Sequence, residues 1–243
     1  MLEWRPEPGY DPLETAERVR GWVCEGRRRK YYRFRETRFY GGCATADAVG
    51  CNLDCAYCYV NYPRRHPWDR RWKFHRPIDV VERLKNMGGD VVRVSGCEPT
   101  LCKEHILELI ELCGRELPDR KFVLETNGTI LGADRSFVRE LGNHEHVHVR
   151  VCLKGYDPQS FARITNANPD GFDLQLRCLR YLFKEGISFH PAIPRLFRPE
   201  DIDKLAGVLS DIGVPPSSLE VEPIRVYDHV RRELRRRGLT VVR

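Results

Sequence analysis

Three cysteines lie within eight residues and could bind metal through their thiolates. Cys51, Cys55 and Cys58 form a C-x3-C-x2-C array in the segment CNLDCAYC. A zinc site usually needs four protein ligands with paired spacing, and no fourth cysteine or histidine follows at such spacing, although His66 is close. Three thiolates suit a [4Fe–4S] cluster in which one iron keeps an open coordination position. The array therefore predicts an iron–sulfur site, with a structural zinc loop as the alternative.

Other polar clusters follow short β-branched runs. They read SGCEPT from Ser95, ETNG from Glu125, CLKG from Cys152 and HPA from His190. In a parallel α/β fold, ligands bind beyond the carboxyl ends of the strands. We therefore expect these clusters to surround the same site as the three cysteines.

The elements that must position these clusters alternate along the chain. Strand-like runs begin near Cys43, Val91, Phe122, Val147, Ile187 and Leu219, and segments of helical period separate them. This alternation is typical of βαβ units and a parallel sheet of about six strands, either an open doubly wound sheet or a partial barrel. The first 40 residues are polar and irregular in pattern, so we predict an N-terminal extension (1–40) and one domain (41–243), with a strand or arm between Tyr31 and Tyr40.

Composition excludes several classes of protein. The chain has 243 residues, a net charge of +6, 31% charged residues and ten cysteines. No apolar run approaches the roughly 20 residues that a membrane span needs, and no apolar signal segment begins the chain. The cysteines therefore predict reduced thiols or metal ligands rather than a secreted disulfide scaffold. We expect a cytoplasmic protein with no membrane partner.

Four of the motifs resemble those of the radical S-adenosylmethionine (SAM) superfamily, over roughly residues 43–225. CNLDCAYC resembles the cluster motif of that superfamily, with Tyr57 at its aromatic position, and VSGCEPT resembles the GGEP motif. ETNG and Lys154 resemble the corresponding segments of glycyl-radical activating enzymes. The resemblance implies a partial (β/α)6 barrel of the TIM type, with a [4Fe–4S] cluster and SAM as cofactors.

The same resemblance implies roles for particular residues. Cys51, Cys55 and Cys58 would ligate iron, and SAM would bind the open iron. The side chains around SAM would be Tyr57 near adenine, Gly96, Cys97 and Glu98 at the ammonium group, Glu125 and Asn127 at the ribose or methionyl end, Lys154 at the carboxylate, and His190 at SAM or substrate. Cys97 and His190 are the candidates for a catalytic side chain.

Cys97 departs from the motif, because it stands where that family has a second glycine. It is either a small substitute for glycine or a thiol that faces the SAM pocket. No second C-x2-C pair occurs, so we expect no auxiliary cluster.

The resemblance implies reductive cleavage of SAM to a 5′-deoxyadenosyl radical that abstracts hydrogen from a substrate. The electron donor would be a ferredoxin or flavodoxin. We predict a large substrate, a protein as for activating enzymes, with the segment from Arg27 to Tyr40 lining an open side of the barrel. One alternative is an RNA-modifying radical SAM enzyme that uses the basic runs at residues 27–30 and 231–237. The other is a non-enzymatic zinc or iron–sulfur module.

Overall fold

A computed structural model of the protein describes residues 3–241. All nine of its strands belong to one sheet. The strands are β1 (Cys24–Glu25), β2 (Arg28–Thr37), β3 (Cys43–Ala48), β4 (Lys73–His75), β5 (Val91–Gly96), β6 (Lys121–Thr126), β7 (Val147–Cys152), β8 (Ser188–Pro194) and β9 (Glu220–Glu222). The α-helices are α1 (Pro12–Val23), α2 (Asn61–Arg65), α3 (Pro77–Lys85), α4 (Lys103–Glu116), α5 (Thr129–Ala133), α6 (Arg135–Leu141), α7 (Pro158–Thr165), α8 (Gly171–Lys184), α9 (Pro199–Asp211) and α10 (Asp228–Arg236).

Six strands form the parallel part of the sheet, in the order β3-β5-β6-β7-β8-β9. Because the strands are parallel, their carboxyl ends lie along one edge. The six predicted strands and the partial (β/α)6 barrel are therefore confirmed. The sheet does not close, since β9 stands at one end of the strand order and β1 and β2 at the other.

The two faces of the sheet differ in polarity. Val92, Val94 and Val149 belong to the apolar core that packs against the helices. Their neighbours Arg93 and Arg150 face the opposite side and line a cavity. This alternation follows from the two-residue period of a strand, and it gives the barrel a charged interior.

The N-terminal residues include a helix and strands, although their sequence pattern is irregular. Asp11 caps α1, with its side chain accepting from the backbone of Leu13 at 2.6 Å. Val19 and Val23 of this helix are fully buried. The predicted strand between Tyr31 and Tyr40 is confirmed as β2, which pairs antiparallel with β3. The boundary near residue 40 stays a prediction.

Within the described residues, no helix combines the length and the apolar character that crossing a membrane would require.

Candidate active site

One cavity of about 590 Å³ lies at the carboxyl ends of the parallel strands. It brings together all but one of the predicted site residues. Those that line it are Cys51, Cys55, Tyr57, Cys58, Gly96, Cys97, Glu98, Glu125, Asn127 and Lys154. The sequence therefore identified the wall of a single site; which of these residues touch SAM stays a prediction.

The three-cysteine loop fits a cubane cluster. Cys51 and Cys58 are partly exposed to the cavity, while Cys55 is buried. Burial raises the pKa of the Cys55 thiol to about 11, against the opposing charges of Lys154 and Arg64. Within residues 3–241, no three Cys, His, Asp or Glu side chains are placed to hold a single metal ion. A cubane cluster needs no such convergence, because each cysteine holds a different iron.

Glu98 joins the loop after β5 to the loop after β6. Its carboxylate is buried and accepts from the backbone and hydroxyl of Thr100 at 3.1 and 2.6 Å. It also accepts from the Thr126 hydroxyl at 2.7 Å and the Asn127 backbone at 2.7 Å. The carboxylate thus has four protein donors, in addition to its position on the wall of the cavity.

Asn127 extends this connection to the cysteine loop. Its side-chain amide donates to Asn52 Oδ1 at 2.8 Å, and its Oδ1 accepts from the Thr129 backbone at 3.0 Å. Gly128 follows in a tight turn, with φ +79°. The sequence pattern did not identify Asn52 as a site residue, because an asparagine between cysteines has no distinctive spacing.

Gly96 lies where two strands approach closely. A Cβ at this position would come within 2.9 Å of the Ala48 backbone nitrogen, and φ is +95°. A side chain is therefore excluded at Gly96 but accepted at Cys97, whose backbone donates to Ala48 O at 3.1 Å. Cys97 lines the cavity, which favours the second interpretation, a thiol that faces the site. Burial raises its pKa, so the thiol is neutral near pH 7.

Tyr57 and Lys154, which are 97 residues apart, meet in the cavity. Lys154 Nζ donates to the Tyr57 hydroxyl at 2.9 Å. Gln175 of α8 fixes the strand end, because its Oε1 accepts from the Lys154 backbone at 3.0 Å and its amide donates to Cys152 O at 3.1 Å. Gln175 is fully buried, and an isolated glutamine in an amphipathic helix gave no signal in the sequence.

The Lys154 contact gives a first testable prediction. Lys154→Met should weaken SAM binding roughly 10- to 150-fold, because a charge-assisted hydrogen bond to the SAM carboxylate is worth about 1.5–3 kcal/mol. Calorimetric titration of the cluster-loaded protein measures this, with exposed Lys184→Met as the matched control. Equal SAM affinity in the Lys154 variant and the control would contradict the assignment.

Glu125 is held by charged neighbours. Arg93 donates to both of its carboxylate oxygens, at 2.8 and 2.6 Å, and the Tyr40 hydroxyl donates at 2.9 Å. Burial opposes ionisation, but Arg93 holds the pKa of Glu125 below its ordinary value. Arg150 makes a similar pair of contacts with Glu220 and Glu222, at 2.8 and 2.6 Å. The interior of the barrel is therefore lined by alternating arginines and glutamates.

His190 is not where the sequence placed it. The strand that contains it continues to Pro194, so the expectation that His190 follows a strand end is wrong. Pro191 and Pro194 hid the length of β8, because proline is rare inside strands. His190 does not line the cavity; its ring lies 2.7 Å from His148 Nε2 and 3.1 Å from Glu220 Oε2.

One further expectation needs correction. Cys24 and Cys102 are paired in a disulfide, whereas reduced thiols were predicted. In the basic run at residues 27–30, Arg29 and Lys30 are buried and donate to the backbone carbonyls of Glu98 and Pro67, whereas Arg27 and Arg28 are exposed, so RNA binding by this run stays a prediction. In the C-terminal run, Arg237 is likewise buried in an ion pair with Asp54.

Two known proteins are similar to this chain in sequence. A GTP 3′,8-cyclase of Pasteurella multocida (strain Pm70) is 26% identical over 185 residues, which are 74% of this chain and 52% of that protein. A 7-carboxy-7-deazaguanine synthase of Methanothermobacter thermautotrophicus is 29% identical over 104 residues, 43% of this chain and 40% of that protein. The chain thus spans about half the length, or less, of these relatives.

Solved structures share the fold. Native anSMEcpe with bound AdoMet has a TM-score of 0.57 at 19% identity, over 73% of this chain and 49% of that one. Streptococcus suis SuiB bound to S-adenosylmethionine has a TM-score of 0.56 at 17% identity, over 79% of this chain and 44% of that one. The family description "Radical SAM superfamily" matches residues 47–212, which include the end of β3, the cysteine loop and the four parallel strands from β5 to β8. The chain therefore belongs to the radical SAM superfamily.

Proposed function

We propose that this radical SAM enzyme abstracts hydrogen from a nucleotide that enters the barrel through its open side. The family uses a [4Fe–4S] cluster and SAM, which supply a 5′-deoxyadenosyl radical when bound. The protein's own contribution is to hold the two cofactors and the substrate in one cavity and to keep water from the radical. The observation that carries the proposal is a groove of aromatic and arginine side chains that joins this cavity.

This lateral groove has a volume of about 560 Å³. Its lining includes Tyr32, Arg33, Phe39, Tyr59, Arg225 and Tyr227. Phe39, Tyr59 and Arg225 also line the central cavity, so the two are continuous. One wall comes from β2 and the other from the segment after β9, which are the two sides of the gap in the barrel. The prediction that the Arg27–Tyr40 segment lines the open side agrees with this arrangement.

Exposed aromatic side chains are concentrated at this groove and the adjoining cavity. Among residues 3–241, five large apolar side chains are exposed, and four of them are Phe39, Tyr40, Tyr59 and Tyr227. Exposed apolar patches usually mark binding sites. Aromatic faces stack on nucleobases, with about 1–3 kcal/mol per base.

Two guanidinium groups are suited to the phosphates. Arg225 is exposed at the junction of groove and cavity and makes no ion pair within the described residues. Arg93 lies deeper and is buried, and its Nη1 has no hydrogen-bond partner there. A buried unpaired donor is costly, so an anionic group of the substrate would satisfy it. Arg33 and Arg35 share the single carboxylate of Asp47 at 2.8 and 2.9 Å, which leaves further positive charge in the groove.

A glycyl-radical activating enzyme that acts on a protein is the second candidate. Aromatic and arginine side chains also characterise protein interfaces, and the open groove would admit a loop. We favour a nucleotide because of the unpaired Arg93 donor and because one relative is named for GTP and another for a deazaguanine. The reductant, a ferredoxin or flavodoxin, is likewise proposed.

The test uses the reconstituted enzyme with SAM, dithionite and one candidate substrate at a time: GTP, ATP, a single-stranded RNA or a peptide mixture. A nucleotide substrate should accelerate formation of 5′-deoxyadenosine and be consumed with it. Acceleration by GTP or ATP would identify a free nucleotide as the substrate, whereas acceleration by the RNA alone would identify RNA. Acceleration by peptides alone would favour the activating-enzyme alternative and contradict the nucleotide.

The groove itself is tested by Tyr227→Ala. Loss of one stacking surface should weaken nucleotide binding roughly 5- to 150-fold, from the stacking energy above. Phe183→Ala is the matched control, because Phe183 is the fifth exposed aromatic side chain and lies on α8, outside the groove. Equal nucleotide affinity in the two variants would show that the groove is not the binding surface.

A further inference from the structure

An acidic residue inside the cysteine loop accepts hydrogen bonds from two arginines elsewhere in the chain, and a third, Arg65, lies 4.0 Å from its carboxylate. Asp54 directly precedes Cys55, and its carboxylate is almost fully buried. Arg64, at the end of α2, donates to Asp54 Oδ1, and Arg237, just after α10, donates to Oδ2 at 2.7 Å. Both guanidinium groups are at least 95% buried. We call these three residues the ionic clasp.

The clasp fixes the loop to two other elements. Arg237 also donates to the carbonyl of Ile164 in α7 at 2.8 Å, and the same carbonyl accepts from the backbone of Ala56 at 2.8 Å. Glu233 of α10 holds Arg237 from the other side at 2.7 Å. The loop that carries the cysteines is thus tied, through one carboxylate and one carbonyl, to α7 and α10.

The two arginines differ in what else they face. Arg64 lines the central cavity together with the three cysteines, whereas Arg237 does not. The Nε of Arg64 has no hydrogen-bond partner among the described residues. Asp54 therefore holds a buried cation on the wall of the cluster cavity, with its own negative charge behind that cation.

We infer that the buried charges of Arg64 and Asp54 act in opposite directions on the reduction potential of the cluster. The potentials of iron–sulfur clusters depend on local net charge, on hydrogen bonds to sulfur and on exposure. A fixed cation in a buried cavity stabilises the reduced, more negative cluster. Arg64 thus affects electron transfer to SAM through the charge that it presents to the cluster, and it need not touch SAM.

Two substitutions should shift the potential in opposite directions. Arg64→Gln removes the cation, so the reduced-to-oxidised ratio of the cluster should fall about tenfold at a fixed applied potential. For one electron this corresponds to a reduction potential about 59 mV more negative. Asp54→Asn removes the opposing negative charge, so the ratio should rise. A titration followed by the electron paramagnetic resonance of the reduced cluster measures both, with iron content determined in the same samples.

The controls separate charge from folding. Arg64→Lys keeps the charge and should restore most of the ratio. Arg236→Gln removes a cation from α10 that pairs with Glu233 and makes no contact with Asp54, and it should leave the ratio unchanged. If Arg64→Gln and Asp54→Asn both lose iron, Arg237→Gln, just after α10, is measured instead, and a lower ratio is expected. The inference would be overturned if the reduced-to-oxidised ratio shifted equally and in the same direction in Arg64→Gln and Asp54→Asn. An unchanged ratio in iron-loaded Arg64→Gln or Arg237→Gln would also overturn it.

Discussion

Replacing Cys51, Cys55 and Cys58 together by alanine is expected to remove the iron, about four atoms per chain, and to abolish SAM cleavage. The three thiols line one cavity, and their loop offers no fourth ligand at suitable spacing. Iron analysis, the spectrum of the reduced cluster and 5′-deoxyadenosine formation measure the loss. We expect the largest effect of any substitution here.

The matched control removes three other thiols. Cys43, Cys113 and Cys178 are buried and do not line the cavity. Their replacement by alanine should leave iron content and SAM cleavage near those of the unmodified protein. Retention of four irons by the first triple variant, or loss of iron from both, would contradict the assignment of the cluster to the C-x3-C-x2-C loop.

Glu98→Gln is expected to lower the free energy of unfolding by about 1–3 kcal/mol and to weaken SAM binding. Four donors point at the Glu98 carboxylate. Either orientation of an amide would turn its NH2 group toward at least one of them, and an unsatisfied buried donor costs about that much. The loops after β5 and β6 would loosen together, so the loss of SAM affinity would include this disorder.

Denaturant unfolding and SAM titration of the same variant measure the two effects. Glu104→Gln is the control, because Glu104 is an exposed acidic residue in the first turn of α4. Stability and SAM affinity equal to those of the control would show that the carboxylate neither connects the loops nor contributes to the site.

The sequence predicted the features that depend on local pattern. The six parallel strands follow from β-branched runs between helical segments, and the site follows from polar clusters at their carboxyl ends. Helix α1 was missed, although Ala16, Val19 and Val23 recur with helical spacing, because charges and prolines surround them. Packing against the protein, rather than local pattern, stabilises such a helix.

Pairings between distant residues could not be predicted. The contact between Arg93 and Glu125 depends on the register of β5 against β6, which the sequence does not display. The bond between Asp54 and Arg237 joins residues 183 positions apart. The arginine-rich C-terminal segment has the composition of a solvated helix face, and only the fold shows that Arg237 points inward.

The measurement that tests the account most directly is the product of SAM cleavage by the reconstituted protein. The enzyme is loaded with iron and sulfide without oxygen, reduced with dithionite and incubated with SAM. We predict that 5′-deoxyadenosine and methionine form in equal amounts, and that the cysteine triple variant forms neither. A protein that holds a reduced [4Fe–4S] cluster and binds SAM, yet yields no 5′-deoxyadenosine, would contradict the account.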